Sequence, residues 1–358
     1  MLSRRESIKS LVSCGIGCLI GGPAGAKEGA RDQRFEEISI RAMGSELNVR
    51  WELSEANFVN VVQVRNEIKA LLEKWNSILS DYDDESEVSN LSRPQNIGHW
   101  QNVSVELAEA VTRSKEWYDI SQGTFDVTCG AVTALRRKRR LADAEEWKAA
   151  IQTIGWESVE WDAEKRAIKI IREGVKFDFG GIGKGLAVDK VCKLMEGLGL
   201  ERFIVNFSGN LRAGKPPIDR EGWPVEVESL GGSVSDVRDF YRFRLANLSM
   251  ATSGDQFQSF PDWKSKSLQD RSSHIIDPQD GGGLIGRQAV TVFSDEASDA
   301  DAAATAASVH LRRSNSGWLN QLSERKNGMF GLAQEIVDGK TTVLEFGGFS
   351  EKLKVERP

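Results

Sequence analysis

Cysteine and histidine are scarce in this chain, with four of the first and three of the second among 358 residues. Cys14, Cys18, Cys129 and Cys192 form no Cys-x-x-Cys pair and have no histidine at ligand spacing, which argues against a zinc or iron–sulfur centre. No disulfide framework is demanded. An oxidising compartment would admit one bridge between Cys129 and Cys192, and two buried free thiols are the simpler reading. Basic residues are the minority: 47 Lys and Arg face 53 Asp and Glu, for a net charge of -6. Arg4, Arg5 and Lys9 fall in the first 26 residues against Glu6 alone, so the rest is more acidic by two charges. An acidic body excludes a general nucleic-acid binder. The one basic run, Arg136 to Arg140, reads as a solvated helix face or loop, with anion contact as the alternative. Internal repeats, long linkers and low-complexity tails are also lacking.

What is present is enough apolar material, 40% of the chain, for one large domain or two intimately packed subdomains. Residues 1–26 read as an export signal: basic Arg4-Arg5, apolar Leu11 to Ile20, and Ala24-Gly25-Ala26 as a cleavage site. The apolar stretch is too short to span a bilayer. Ser3 to Lys9 approaches a twin-arginine signal, with Ser in place of the usual aromatic residue. Leu11-Val12-Ser13-Cys14 mimics a lipoprotein box, but leaves too short an apolar core, so soluble release ranks above a lipid anchor. Residues 27–34 form a polar spacer, and 35–358 a single domain of two intimately packed subdomains.

Glu36 to Leu53 alternates like paired strands broken at Met43-Gly44-Ser45. Apolar residues at helical spacing predict a helix over Phe58 to Leu79, others over Val105 to Ser121 and Ala142 to Ile154 (the last without a sharp cap), and more over Gly185 to Leu198 and Ala300 to Leu311. Strand-like runs lie at Ser158 to Trp161, Ala167 to Ile171, Phe203 to Phe207, Val225 to Val227, Phe243 to Leu248, Gln288 to Phe293 and Thr341 to Phe346. The mixture predicts an α+β fold.

Three segments carry chemistry. Val175 to Gly185 runs from a strand through Gly180-Gly181-Ile182-Gly183 into a helix, so backbone N–H groups and a helix N-terminus face one spot, as phosphate binding requires. The segment is neither a Walker A loop nor a dinucleotide fingerprint, and a packing turn would look the same. In Ala297 to Ala307, Asp301 and Thr305 are four apart and share a helical face, suitable for a hard cation such as magnesium; the alternative has Asp299 as N-cap and the alanines as a packing face. His274, beside Asp277, offers a group that changes charge near neutral pH and could take a proton from a hydroxyl, against the alternative of a structural hydrogen-bonder, the role assigned to His99 and His310.

Taken in order, Ala42-Met43-Gly44-Ser45, Leu79-Ser80-Asp81-Tyr82, Ser86 to Ser89, Gly123 to Thr128, Asp178 to Asp189, Ala251 to Asp255, His274 to Pro278, and Asp301 with Thr305 resemble the ApbE family of FAD:protein FMN transferases. The resemblance covers nearly the whole chain after the export signal and implies a mixed-sheet, T-fold-related architecture. It implies that Met43, Tyr82, Thr124, Phe125, Asp126, Asp178, Lys184 and Ile276 contact FAD. Magnesium would be held by the Gly181 carbonyl with Asp301 and Thr305, and His274 would be the catalytic base. The activity implied is transfer of FMN from FAD to a Thr or Ser of an exported flavoprotein, releasing AMP, at the periplasmic side. A magnesium-dependent FAD pyrophosphatase or a non-catalytic FAD-binding protein are the rivals, and membrane association through the acceptor or a lipid anchor stays open. The chain departs from the family at Asn206-Phe207-Ser208-Gly209-Asn210, where Asn, two glycines and Asp are usual.

Overall fold

The computed structural model describes residues 19–20, 34–53, 59–138, 143–230, 240–254, 259–261, 271–326, 328–338 and 340–357. Of the expected export signal, only Leu19 and Ile20 are described, antiparallel to Glu226 and Val225; the rest of it lies outside the described residues, as do 27–33 of the spacer.

Eight strands form the central sheet: β1 (Phe35–Ala42), β2 (Ser45–Glu52), β3 (Phe203–Phe207), β4 (Asn210–Ala213), β5 (Leu248–Gly254), β6 (Gln288–Ser294), β7 (Phe330–Val337) and β8 (Lys340–Phe346). Their spatial order repeats their chain order, and every neighbouring pair is antiparallel. Both faces of the sheet's middle are covered, which is why β3 and β6 are buried throughout instead of alternating with polar residues. Leu47, Val49, Phe203, Val205 and Phe207 pack against helices α1 (Val61–Leu79) and α4 (Gly183–Gly197). Ile204, Leu211, Met250 and Phe293 belong to the cluster containing Trp223, Val225 and Phe243, from the small sheet of Trp223–Glu228 and Phe240–Leu245.

Residues 53–202 lie in sequence between β2 and β3, which are neighbours in the sheet. They supply α1, α2 (Val105–Ile120), α3 (Gly130–Arg137), α4 and a three-stranded sheet of Gln101–Asn102, Ala167–Ile170 and Val159–Asp162. Helix α5 (Ala297–Arg312) joins this insertion to the sheet: Ala300, Ala303 and Ala304 share a core with Trp117, Phe125 and Phe177 on one side and with Val290 and Val292 of β6 on the other. Small side chains let α5 lie close to both.

Several elements differ from the sequence reading. Helix α1 starts at Val61, where the Asn60 side chain accepts from Val62 N at 2.8 Å. The helix expected without a sharp cap runs Ala144–Ile151 and has one, a capping box in which Asp143 accepts from Glu146 N at 2.8 Å and Glu146 accepts from Asp143 N at 3.3 Å. The single strand expected over Phe243 to Leu248 is two, because the chain turns at Asn247, whose left-handed φ of 50° suits a residue that tolerates it. Strands β4 and β7 and helices α3 and Gly317–Arg325 went unread. Cys129 and Cys192 are buried free thiols in separate core clusters, so no bridge forms between them.

Candidate active site

The tips of two hairpins, the glycine-rich turn and one face of α5 converge on an open cavity of about 400 Å³. The hairpins are built alike. Met43 and Gly44 join β1 to β2 with φ of 47° and 71°, and Ser208 and Gly209 join β3 to β4 with φ of 50° and 93°. Two-residue connections with both φ positive match the twist of the strands they join, at a cost where a residue other than glycine takes the left-handed conformation. Both tips line the cavity, and Ser45 and Ser208 hydrogen-bond across them.

Opposite them, the Asp178 carboxylate accepts from Gly180 N at 2.7 Å and so shapes the turn into α4. A Cβ on Gly181 would stand 3.1 Å from both Thr305 Oγ1 and a Phe125 ring carbon, so glycine is what lets the turn enter between them. Lys184, in the first turn of α4, reaches back to the Gly180 carbonyl at 3.2 Å. Thr124, Phe125 and Asp126 approach from the turn after α2, and burial pushes the Asp126 carboxyl up to about 6.

Asp301 and Thr305 line the same cavity one turn apart on α5. The helix begins at Ala297, three residues before the expected Ala300, so Asp301 lies in its second turn. Nor is Asp299 the cap: it accepts from Trp117 Nε1 at 2.8 Å. The start of α5 is held instead by Asp189 of α4, which accepts from Ala297 N, Ser298 N and Ser298 Oγ at 2.8, 2.9 and 2.6 Å. In return Asp301 Oδ2 accepts from Gly185 N at 3.0 Å. Burial raises the Asp301 carboxyl above its ordinary value, while the Lys184 charge and the Gly185 N–H act against the rise. A carboxylate placed so is one that a cation would stabilise. Among the described residues no group of three or more His, Cys, Asp or Glu could hold a metal. The donors that do meet here are a carboxylate, a hydroxyl and a main-chain turn, a set that suits magnesium with water and ligand oxygens completing its shell.

His274 and Ile276 complete the lining. Asp277, three residues beyond His274, has its carboxylate held by Arg313 and by Arg312 in the last turn of α5, the latter at 2.9 Å. Tyr82 is the one candidate that stands outside the cavity; it is 77% exposed, with the Arg137 guanidinium 4.1 Å over its ring. Arg137 also bridges Asp81 and Asp178, and Asp81, pushed up to about 6 by burial and then by the Asp178 charge, marks this rim as crowded with acid.

The sequence profile of the ApbE family matches residues 43–329. The chain belongs to the ApbE family. It is 26% identical over 279 residues to the FAD:protein FMN transferase of Vibrio cholerae, covering 75% of this chain and 79% of that protein. With the FAD:protein FMN transferase of Haemophilus influenzae it shares 23% over 284 residues, 77% and 80% of the two chains. The solved structure of flavin transferase ApbE from Vibrio cholerae superposes with a TM-score of 0.75 at 23% identity, covering 88% of this chain and 99% of that one. The apo flavinyl transferase ApbE of Pseudomonas stutzeri gives 0.74 at 24% identity, covering 88% and 96%. The α+β mixed-sheet architecture is therefore the ApbE fold.

This ApbE-family site also uses residues that sequence reading missed. Arg136 is no solvated charge: it is 4% exposed, and its Nη2 donates to Ser272 Oγ at 2.9 Å and to the Ser273 carbonyl at 2.6 Å, tying α3 to the segment that carries His274. Its sequence signal was hidden inside a run of like charges, although Val132 four residues earlier marks the buried face. Asp189 was visible only as part of a motif, without a task.

Proposed function

We propose that the chain is an exported FAD:protein FMN transferase, moving FMN from FAD to a Thr or Ser hydroxyl of an exported flavoprotein and releasing AMP. The observation that carries this reading is the meeting in one cavity of a glycine turn at a helix start, the Asp301–Thr305 face and His274. Lys184 and the N-terminal turn of α4 offer positive charge to a pyrophosphate. Phe125 gives an apolar wall beside the turn, and Met43 another from the hairpin. His274 would take the proton from the acceptor hydroxyl, whose oxygen bonds to the FMN phosphorus as the bond to the AMP oxygen breaks. Asp301, Thr305 and the Gly181 carbonyl are the groups that would hold magnesium, which when bound withdraws charge from phosphate oxygens as a Lewis acid. The family membership supports the transferase reading, and the basic, apolar and small-residue order of residues 1–26 supports export.

The test incubates purified protein with FAD, with and without magnesium, and an exported flavoprotein domain. Magnesium-dependent fluorescence on the denatured acceptor, with equimolar AMP, is the expected result. Free FMN and AMP without labelled acceptor would make the protein a hydrolase, and intact FAD would refute catalysis. Asp301→Ala is expected to abolish turnover and to remove the stabilisation by magnesium seen in thermal melts of the FAD complex; unchanged activity would refute the cation assignment.

A further inference from the structure

Polar side chains at the hairpin end of the cavity are largely committed to one another. Ser45 pairs with Ser208, Thr252 Oγ1 lies 2.9 Å from Thr291 Oγ1, and Ser253 Oγ lies 3.4 Å from Thr305 Oγ1. Asn206 Oδ1 accepts from Gly209 N at 3.1 Å. Asn210 is different. It opens β4 between Phe207 and Ala251, is 4% exposed and lines the cavity. Its side-chain amide has no hydrogen-bond partner among the described residues. Nearly buried as a residue, Asn210 is not one of the sealed-off polar side chains, so its unpartnered amide meets the cavity, where a ligand would lie.

We propose that Asn210 determines ligand specificity, its amide reading the edge of a planar heterocycle that carries a donor beside an acceptor. This rests on the FAD reading above. Both ends of FAD have such an edge: the amino group and ring nitrogen of adenine, and N3–H with its flanking carbonyls on the flavin. A primary amide offers two donors and an acceptor in one plane, whereas a carboxylate in its place would only accept. Asparagine also spares a cavity already lined by Asp126, Asp178 and Asp301 a further negative charge facing an anionic dinucleotide. Ser208, held left-handed and fastened to Ser45, fixes the turn that sets the direction of this amide.

Affinities for FAD and FMN by flavin fluorescence, and for ADP by calorimetry, would be compared among wild type, Asn210→Ala and Asn210→Asp, all with magnesium. Asn210→Ala is expected to weaken FAD about ten- to a hundredfold. It should weaken one of the two fragments by a similar factor and leave the other unchanged, which names the ring that is read. Asn210→Asp fills the same space and keeps an acceptor while losing the donors, so it should fall between. Unchanged FAD affinity in both variants overturns the inference, as do equal losses on FMN and ADP, which would report general damage. Those results leave the FAD reading standing, because the wild type still binds FAD. A wild type that binds none overturns that reading and this inference together.

Discussion

His310 lies with its imidazole stacked on Trp318, ring centroids 4.2 Å apart, and 2% exposed. Nε2 lies 3.0 Å from the Ser121 carbonyl and must donate to it, which leaves Nδ1 to accept from the Asn315 amide at 3.2 Å. The same Ser121 carbonyl accepts from Thr124 Oγ1 at 3.0 Å, and Ser121 Oγ accepts from Phe125 N at 3.0 Å. A histidine that never enters the cavity thus fixes the turn that brings Thr124 and Phe125 to it. Burial holds its pKa down to about 4 against an ordinary 6.5, so the folded protein keeps it neutral where the unfolded chain would protonate it. Its contribution is complete above pH 6.5 and is lost as pH falls toward 4, on the order of 3 kcal/mol across that window. Asp81 and Asp126, raised to about 6, have the opposite sign and favour the folded state toward low pH. The difference between variants isolates the histidine: His310→Gln should melt several degrees below wild type at pH 7.5, and the gap should shrink as pH approaches 4. A gap that stays constant would show that His310 acts by packing alone.

Helices α4 and α5 are clasped at both starts, Asp189 holding the first N–H groups of α5 and Asp301 holding Gly185 N of α4. The clasp requires close approach: a Cβ on Gly185 would fall 2.5 Å from Ser298 Cα and 2.6 Å from the Ala297 carbonyl. Gly185→Ala must therefore force the helices apart. Asp189→Ala removes the acceptor for three buried donors and should cost about 2–4 kcal/mol in urea unfolding, with Asp189→Asn recovering roughly half because one oxygen remains. Since the clasp sets where Asp301 points, Asp189→Asn is also expected to need more magnesium for half-maximal stabilisation of the FAD complex. Equal magnesium dependence in that folded variant would confine Asp189 to stability. One element thus carries a structural carboxylate, and its neighbour the carboxylate proposed to hold the cation.

Much of the molecule was legible because its strongest signals are local. The 3–4 spacing of Val64, Ile68, Leu72 and Trp75 marks α1, and the buried run Phe203 to Phe207 marks β3. Asp301 and Thr305 stood out because a spacing of four already fixes a shared helical face, and Gly180 to Gly183 because glycines lead directly into a helix. What sequence could not express was pairing over distance: that Asp189 caps α5, that Arg136 holds Ser272, or that Arg137 draws Tyr82 to the rim. Strand β7 is hard to read because it holds Gly331, a residue that strands disfavour but that is required here, since a Cβ would collide with the Thr291 carbonyl of β6 at 2.1 Å. The long insertion between β2 and β3 likewise has no sequence signature, yet it decides how the whole chain should unfold. Residues 53–202 leave and re-enter through adjacent strands, and α5 packs against the insertion and the sheet at once. Releasing the insertion would strip α5 and the inner face of β2 and β3, so the two parts should melt together. Far-UV circular dichroism and tryptophan fluorescence should share one midpoint, since Trp51 and Trp223 report on the sheet side and Trp117 and Trp156 on the insertion. Because the cavity draws on both parts, FAD with magnesium should move that single midpoint upward, by about 2.7 kcal/mol of added stability at a hundred times its dissociation constant. Two midpoints, with ligand raising only one, would show instead that the insertion folds as a separate unit.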